Sequence, residues 1–174
     1  MLKGNQISLR EYQREDLPDI VKLLNDVSAG FDLRRGAGVP LTEQDVEAIL
    51  ADTAGPDAFR YVVTDPQDRL IGIWKVTLSA KDQRAELDHR MLPGDRAKGY
   101  DADSLDVILR TLFGELNMNR CQTILFDFEK KALDTFRKAG FKKEAALRHH
   151  VFHQGSYHDA LVLGILKKEF EAGE

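Results

Sequence analysis

The chain has 174 residues, of which 43% are hydrophobic and 31% are charged. A chain of this length is expected to form one domain, residues 1–174, whose apolar core is large enough to exclude general disorder. The net charge of −4 argues against a general nucleic-acid-binding protein, because contact with the phosphate backbone needs a concentration of Lys and Arg. The sequence therefore predicts no nucleic-acid partner.

The cysteine content and the terminal sequence indicate where the protein resides. The single cysteine, Cys121, cannot form an intramolecular disulfide, and this favours a reducing compartment. Charged residues interrupt the first twenty positions, so no signal peptide is expected. The longest apolar stretch, Ala160–Leu166, is too short to span a bilayer. We expect a cytoplasmic protein with no membrane partner.

The first third of the chain predicts a strand followed by two helices. Alternating apolar residues favour a strand over Gln6–Tyr12, and apolar residues spaced by three and four favour an amphipathic helix after Glu15. The glycine-containing segment Ala29–Pro40 is typical of a mobile loop. Thr42 and Asp45 have the spacing of a helix cap, which predicts a second, short helix.

The rest of the chain predicts strands and helices that alternate after an initial hairpin. The predicted hairpin strands are Phe59–Thr64 and Leu70–Leu78, followed by a strand over Arg84–Met91, a helix with an apolar stripe from Leu105 to Leu116, a short strand Ile124–Phe126, a helix near Lys130–Lys138, and a final hairpin of Ala145–Phe152 and Tyr157–Leu166. The order strand, helix, strand, helix predicts a parallel strand pair.

The segment Arg96–Tyr100 lies between a predicted strand and the apolar-striped helix. Gly99 allows backbone N–H groups to approach a ligand, and the helix N-terminus offers unpaired donors to a phosphate. The segment is therefore a candidate anion-binding loop. Because a glycine between a strand and a helix is also typical of an ordinary turn, the local pattern leaves both interpretations open.

The whole order of elements resembles the GNAT superfamily of acetyl-CoA-dependent N-acetyltransferases, with closest resemblance to its branch that acts on ribosomal-protein amino termini. The segments that carry the resemblance are Ala85–Leu87, Arg96–Tyr100, Ala132–Phe141 and Gly155–Asp159. The resemblance implies an α/β fold with a mixed sheet of about six to seven strands and four helices. It also implies a splayed parallel strand pair that forms the cofactor cleft.

The resemblance implies acetyl-CoA as co-substrate and indicates the residues that bind it. In the family a glycine-containing loop holds the pyrophosphate through backbone amides, and the splayed strands admit the pantetheine arm. The matching positions are Met91, Leu92, Arg96, Ala97, Lys98, Gly99, Tyr100, Asp101, Ala102, Glu129 and Phe136.

Asp101 stands where the family usually has a second glycine. A carboxylate at a helix N-terminus can cap the same N–H groups that a pyrophosphate uses. If Asp101 folds back onto those amides, it replaces the ligand; if it points to solvent, it only weakens cofactor binding by repulsion. The sequence leaves these two alternatives open.

Two further positions depart from the family pattern. Phe136 replaces a tyrosine that, in many relatives, donates a proton to the leaving thiolate, and Tyr157 is a candidate substitute for it. Glu129 replaces an asparagine that contacts the pantetheine arm, and its alternative role is a charge at a helix N-terminus. For Tyr157 the alternative is cross-strand packing in the final hairpin.

Glu86 is the candidate general base that the resemblance indicates. A carboxylate acting through water must deprotonate the attacking ammonium group, and a surface ion pair is the alternative role for Glu86. Asp88 and His89 are weaker candidates. The resemblance places the oxyanion near the backbone N–H of Met91. Five histidines lie in the sequence, four of them between His149 and His158, but no metal site is predicted because nothing fixes convergent ligands.

The sequence supports two functional interpretations. The first is an N-acetyltransferase that moves an acetyl group from acetyl-CoA to a primary amine, either a small molecule or a protein N-terminus, by direct attack. The second is a degenerate GNAT-fold binding or regulatory protein with weak or lost acetyl-CoA binding, and a homodimer is possible in either case. Arg34 and Arg35 suit an acidic acceptor, although a solvated loop is the simpler interpretation.

Overall fold

The computed structural model describes residues 1–26, 28–29, 40–51 and 57–173, and within these ranges eight strands form one mixed sheet. The strands are β1 (Leu2–Lys3), β2 (Ser8–Arg10), β3 (Ala58–Thr64), β4 (Leu70–Ser79), β5 (Arg84–Met91), β6 (Arg120–Phe126), β7 (Lys142–His153) and β8 (Ser156–Leu166). Their order in the sheet is β1-β2-β3-β4-β5-β6-β8-β7. Only β5 and β6 pair in parallel in this part of the chain.

Six α-helices accompany the sheet in the described ranges. They are α1 (Leu17–Asn25), α2 (Glu43–Ala51), α3 (Pro93–Arg96), α4 (Tyr100–Arg110), α5 (Lys130–Lys138) and α6 (Lys167–Gly173). Because α4 connects β5 to β6, these three elements form the parallel crossover that the sequence predicts. The predicted mixed α/β fold is confirmed, with one strand and two helices more than expected.

Two apolar cores lie on opposite faces of the sheet. The larger core packs α4 and α5 against the alternating buried residues Ala85, Leu87 and Met91 of β5. The smaller core packs α1 and α2 against residues of β3 and β4 such as Val62 and Leu70. Since side chains alternate along a strand, the intervening residues of β5 lie on the face that carries α1 and α2, which these helices cover only in part and which we call the open face.

Several local predictions are confirmed residue by residue. The bounds Arg84–Met91 and Lys130–Lys138 agree with β5 and α5. At the start of α2, the Asp45 carboxylate accepts the Thr42 N–H at 2.8 Å, and the Thr42 hydroxyl accepts the Asp45 N–H at 3.2 Å. These reciprocal bonds satisfy two donors that the helix itself leaves unpaired.

The structure differs from the sequence-based expectation in its short elements. The four-residue helix α3 was not predicted; Pro93 begins it directly after β5, because its fixed φ suits the first helical position. β6 begins at Arg120, four residues before the predicted start, and β1 and α6 were not predicted. The predicted loop Ala29–Pro40, including its two arginines, lies outside the described residues except at its two ends.

The described ranges contain no helix that is long and apolar enough to cross a membrane. They also contain no group of three His, Cys, Asp or Glu side chains that could hold a metal ion. Cys121 is fully buried in the larger core, and burial raises the pKa of its thiol. It therefore packs as a small apolar side chain.

Candidate active site

A gap opens between β5 and β6 at their carboxyl ends. The two strands are paired from Arg84 with Arg120 up to Leu87 with Thr123. Beyond this point, among the strands of the described ranges, β6 pairs only with β8 and β5 pairs only with β4. The last residues of β5, from Asp88 to Met91, therefore form one wall of a cleft in the middle of the sheet.

Two backbone N–H groups of β5 point into this cleft. The Leu92 N–H donates to the Ile71 carbonyl of β4 at 3.3 Å. Because N–H groups alternate between the two edges of a strand, those of Met91 and His89 point the other way, towards the gap. The Met91 N–H donates to the carbonyl of Ala29 at 3.2 Å. The Ala29 carbonyl thus occupies the Met91 N–H, and His89 rather than Met91 offers an N–H that faces the gap without such an acceptor.

The loop from Arg96 to Ala102 presents its free amides at the start of α4. The N–H groups of Ala97, Lys98 and Gly99 donate to carbonyls of α3 at 3.0–3.3 Å, so these three are engaged. The N–H groups of Tyr100 and its two successors lie in the first turn of α4, where a helix has no acceptor to offer them. No other described residue accepts from them. These are the donors that a pyrophosphate can use.

Gly99 sets the direction of these free amides. Its φ is +85°, a left-handed conformation that side chains with a Cβ adopt only at a cost. A Cβ added there would meet no atom within 4 Å, so the requirement for glycine is conformational rather than steric. Gly99 is the N-cap of α4 and has no side-chain capping bond.

Both alternatives that the sequence offered for Asp101 are wrong. Its carboxylate does not cap the helix amides, and it does not face solvent. The residue is 1% exposed, and its side chain points inward, beneath the loop. One oxygen accepts from Arg96 Nη1 at 3.1 Å, and the other lies 3.2 Å from His89 Nε2. The carboxylate turns inward because the side chains of Arg96 and His89 lie beneath α4 and are better partners for it than the backbone amides.

The Asp101 carboxyl stays ionised in this setting. Burial alone pushes its pKa upward, but the opposing charge and hydrogen bond of His89, together with Arg96, outweigh burial and hold the pKa below its usual range. His89 in turn stacks on Trp74 with the ring centroids 4.5 Å apart. The Trp74 indole donates to the Ser104 hydroxyl of α4 at 3.1 Å. The ion pairs are thus embedded in a polar network within the core.

Arg96 is engaged by the protein itself rather than aimed at a ligand. Its guanidinium donates to the carbonyls of Met91 at 3.2 Å and Ala29 at 3.1 Å, in addition to Asp101. It therefore joins the end of β5, the loop and the segment after α1. Lys98 is the cation of the loop that is closer to solvent; its ammonium lies 3.3 Å from Asp95 and 5.6 Å from the ring of Tyr100.

Glu129 lies at the β6 side of the gap, whereas Phe136 is enclosed in the core. The Glu129 carboxylate accepts the Phe126 N–H at 2.9 Å. Because the Asp127 N–H donates to Asp159 of β8, the Phe126 N–H points to the opposite edge of β6, towards the gap. Phe136 is completely buried, and its ring lies 5.3 Å from that of His89 and 4.9 Å from that of Phe141. Phe136 has no proton to donate, and the Glu129 carboxylate acts as an acceptor at this edge.

The structure does not bring Glu86 and Tyr157 together. Glu86 lies beside Gln122 in the paired part of the sheet, before the gap opens. Gln122 pairs with Gly164, and Tyr157 lies seven residues from Gly164 along β8, a separation of about 23 Å. Tyr157 is 63% exposed and packs against Phe152 with the rings 5.2 Å apart.

A pocket of about 200 Å³ lies on the open face of the sheet, next to the gap. It is lined by Tyr12, Leu24, Ile49, Arg60, Tyr61, Val62, Ile73, Trp74, Lys75, Asp88, His89 and Arg90. Sequence reasoning found only Asp88 and His89 in this set, and as weak candidates. The others come from strands and helices far apart in the chain, and no local motif indicates that they meet.

Among the described residues, the pocket lining carries more positive than negative side chains. Arg60, Lys75 and Arg90 are cationic, and Asp88 is the only carboxylate in this described part of the lining. Asp88 accepts from Arg90 at 2.8 Å, and Lys75 is half-buried on the opposite strand. Burial and the nearby Glu47 raise the pKa of Tyr12, so this phenol stays protonated at neutral pH. An amine in this pocket would meet one carboxylate beside the gap.

Chemically, the arrangement places three functions around one opening in the sheet. Free helix amides can hold a diphosphate, a strand N–H can stabilise an oxyanion, and a carboxylate stands at the mouth of a pocket. Such a set suits transfer of an acyl group between a phosphate-bearing donor and an acceptor from the opposite side.

Comparison with known proteins identifies similar chains. Residues 9–162 match the family described as acetyltransferase (GNAT) domain. The chain is 23% identical over 170 residues to the SPbeta prophage-derived uncharacterized N-acetyltransferase YokL of Bacillus subtilis, covering 97% of this chain and 94% of that protein. It is 25% identical over 175 residues to spermidine N(1)-acetyltransferase of Escherichia coli K12, covering 99% of this chain and 92% of that protein.

Solved structures show the same fold. Spermidine N-acetyltransferase from Vibrio cholerae, in complex with CoA and spermine, has a TM-score of 0.83 at 23% identity and covers 97% of this chain and 99% of that chain. A dodecameric structure of spermidine N-acetyltransferase from the same organism has a TM-score of 0.79 at 24% identity, covering 96% of this chain and 97% of that chain.

Proposed function

Because the chain belongs to the acetyltransferase (GNAT) domain family, we propose that it acetylates a small primary monoamine bound in the open-face pocket. Acetyl-CoA is the co-substrate of the family, and the chain is an acetyl-CoA-dependent N-acetyltransferase. The observation that carries the proposal is the gap between β5 and β6, which opens on one side to the free amides of α4 and on the other to the pocket.

The residues of the loop fit the diphosphate of acetyl-CoA through backbone rather than side-chain groups. The free N–H groups of Tyr100, Asp101 and Ala102 supply the donors, and Lys98 adds a cation near them. Met91 faces the cleft through its backbone N–H, which becomes available to the pantetheine arm only when the Ala29 carbonyl moves away. The Leu92 N–H donates to Ile71 of β4 and its carbonyl accepts from α3, so we assign Leu92 no backbone contact with the cofactor. Arg96 and Asp101 hold the loop in place.

Direct attack of the amine on the thioester needs a base, an oxyanion site and a leaving group. We assign the base to Asp88, acting through water, because it lines the pocket beside the gap, whereas Glu86 lies before the gap; Glu86 is the alternative. The His89 N–H receives the oxyanion. With phenylalanine at position 136, the thiolate leaves without a phenol, which its moderate basicity permits.

The acceptor is proposed to carry one positive charge. The relatives named as spermidine acetyltransferases support a small amine as acceptor, but the described part of this pocket's lining carries three cationic side chains and one carboxylate. A polyamine would be repelled by such a lining more strongly than a monoamine. A protein amino terminus is the second acceptor class, and the resemblance to the ribosomal-protein branch remains a prediction that these relatives do not test.

Turnover with a panel of acceptors tests the proposal. Release of the CoA thiol is measured with full-length protein, acetyl-CoA and, in turn, a primary monoamine series, spermidine, and peptides with free amino termini. We expect the highest kcat/KM with a monoamine. Faster turnover of spermidine or of a peptide would overturn the proposed acceptor, and the absence of turnover together with absent acetyl-CoA binding in a calorimetric titration would support the degenerate binding protein.

We further propose that the protein works in the cytoplasm as a homodimer. The buried free thiol of Cys121 suits a reducing compartment, and a relative from V. cholerae is described as dodecameric, so assembly occurs among similar chains. Light scattering of the purified protein measures the mass directly. A monomer or a larger assembly would contradict the proposed dimer.

A further inference from the structure

Two side chains of β8 and one that follows β6 form a hydrogen-bonded row that the acetyltransferase site does not use. Ser156 Oγ lies 3.0 Å from His158 Nε2, and His158 Nδ1 lies 2.8 Å from Asp127 Oδ1. Ser156 and His158 are two residues apart on β8 and so share one face of the strand. Asp127 directly follows β6, at the end of the sheet where the gap opens.

The hydrogen-bond pattern fixes which nitrogen of His158 carries the proton. The backbone N–H of Asp159 donates to Asp127 at 3.1 Å, and this bond, together with His158, holds the pKa of Asp127 below its usual range. An ionised carboxylate can only accept, so the proton lies on Nδ1 of His158. In neutral His158 the Nε2 is then an acceptor, and the Ser156 hydroxyl donates to it.

The surroundings hold the imidazole in this orientation. His158 packs edge-on against Phe128, with the ring centroids 4.9 Å apart and the planes at 80°. Phe128 belongs to a small apolar cluster with Phe126 and Val151. Gln154 and Gly155 both have positive φ, as a tight two-residue hairpin turn requires, and they fix the start of β8 at Ser156.

From this geometry we propose that Ser156 is a nucleophile, activated by His158 and oriented through Asp127, that accepts acyl groups from activated esters and thioesters. A serine hydroxyl bonded to a histidine, which is bonded in turn to a carboxylate, is the arrangement that raises the nucleophilicity of serine on unrelated folds. The inference does not depend on the proposed amine acceptor.

The step balances without any further reactant. Ser156 Oγ forms a bond to the acyl carbon while its proton passes to Nε2 of His158. The bond from the acyl carbon to the leaving oxygen or sulfur then breaks. The leaving group either takes the proton from Nε2 of His158 or departs as an anion, in which case His158 releases that proton to water. The product is an acyl ester of Ser156. Because Ser156 is exposed, water rather than a shaped pocket solvates the oxyanion, and the ester is expected to form and to hydrolyse slowly.

The test measures acetylation of Ser156 by p-nitrophenyl acetate in the full-length protein. After brief reaction and digestion at Lys and Arg, the peptide from His149 to Lys167 should gain the mass of one acetyl group, located at Ser156 by fragmentation. Ser79 is the internal control, because its hydroxyl donates to the Asp82 carboxylate at 2.8 Å and has no histidine partner. We expect its peptide to remain unmodified.

Three variants distinguish a Ser156 that His158 activates from a Ser156 that only forms a structural hydrogen bond. Ser156→Ala should abolish acetylation of the peptide, and His158→Gln should slow it at least about 100-fold. Asp127→Asn should give an intermediate rate, because the histidine keeps its place but loses the charge behind it. Circular dichroism and acetyl-CoA binding are expected to be unchanged in all three. An unmodified Ser156 in the wild type, or an unchanged rate in His158→Gln, would overturn the proposal.

Discussion

At the scale of single residues, Asp101 is a charged residue in the first turn of a helix that forms buried ion pairs and does not cap the helix. A carboxylate in the first turn of a helix ordinarily stabilises the helix dipole. In this chain it is paired instead with Arg96 and His89, whose side chains are themselves nearly inaccessible. Removing one member of a buried pair leaves the other charge without compensation, and this costs more than the pair itself contributes.

Asp101→Asn is expected to destabilise the fold by about 3–5 kcal/mol, because the Arg96 charge would be left buried without its counter-ion. Asp106→Asn on the exposed side of the same helix is the matched control, since its ion pair with Arg110 is solvent-exposed and contributes at most about 1 kcal/mol. Urea unfolding monitored by circular dichroism gives both values. Equal losses in the two variants would show that the buried network does not depend on this charge.

The stability contributed by Asp101 should also depend on pH. Because its pKa is lower in the folded than in the unfolded state, the contribution is complete above the ordinary aspartate pKa of about 3.9 and is lost as the pH falls through the folded-state value. The difference between wild type and Asp101→Asn should therefore stay constant from about pH 7 to 5 and narrow below about 4. A difference that already narrows at neutral pH would contradict this assignment.

Asp88 and Glu86 offer a second test at this scale, because both lie on the open face of β5 but only Asp88 lines the pocket. Asp88→Asn is expected to lower kcat/KM by about 10²–10⁴, the range typical of a lost general base. Glu86→Gln should change it less than about threefold by the same argument. Acetyl-CoA affinity should be unaltered in both. The reverse order of the two losses would return the role of base to Glu86.

At the scale of elements, local chemistry predicted the long strands and helices but not the short ones. The amphipathic pattern of α5 and the alternation of β5 determine their bounds, because each buries one continuous face. α3 has only four residues, too few for any periodicity, and Pro93 indicates a break as readily as a helix start. Such elements are decided by tertiary contacts, such as the ion pair between Arg69 and Asp95 at 2.8 Å.

The turn from α3 into α4 yields a prediction about backbone conformation. Gly99→Ala should cost about 1–2 kcal/mol, because alanine must adopt the left-handed conformation although no atom obstructs its Cβ. It should also raise the Kd for acetyl-CoA, since Gly99 directs the amides of Tyr100–Ala102. Gly94→Ala within α3 is the control, because its Cβ also meets nothing and its φ is negative.

In that control, alanine is a better helix former than glycine, so Gly94→Ala should be neutral or stabilise the protein by up to about 1 kcal/mol. Urea denaturation and calorimetric titration measure the two quantities for each variant. If both variants behave alike, the loop does not require the positive φ.

At the scale of the whole molecule, the site is assembled from segments that are distant in sequence. The family was recognisable from the order of elements and from Arg96 and Gly99, and the family model matches residues 9–162; the position of the cofactor site stays a prediction. The hydrogen bond from the Met91 N–H to the Ala29 carbonyl could not be predicted. The two residues are 62 positions apart, and a backbone contact over that distance does not affect the local sequence pattern. The same holds for Lys75, which reaches the pocket only because β4 pairs with β5.

The assembled cleft predicts how binding energy is divided along acetyl-CoA. If the amides of Tyr100–Ala102 hold the diphosphate, acetyl-CoA at 100 times its Kd should stabilise the fold by about 2.7 kcal/mol and raise Tm by about 5–11 °C. Acetylpantetheine at the same concentration lacks the diphosphate and should raise Tm far less. Thermal unfolding with each ligand measures the difference. Both molecules fill the gap between the strands, but only acetyl-CoA reaches the helix amides with its diphosphate. Equal shifts of Tm would therefore show that the gap supplies the binding energy and that the helix amides have no role in binding.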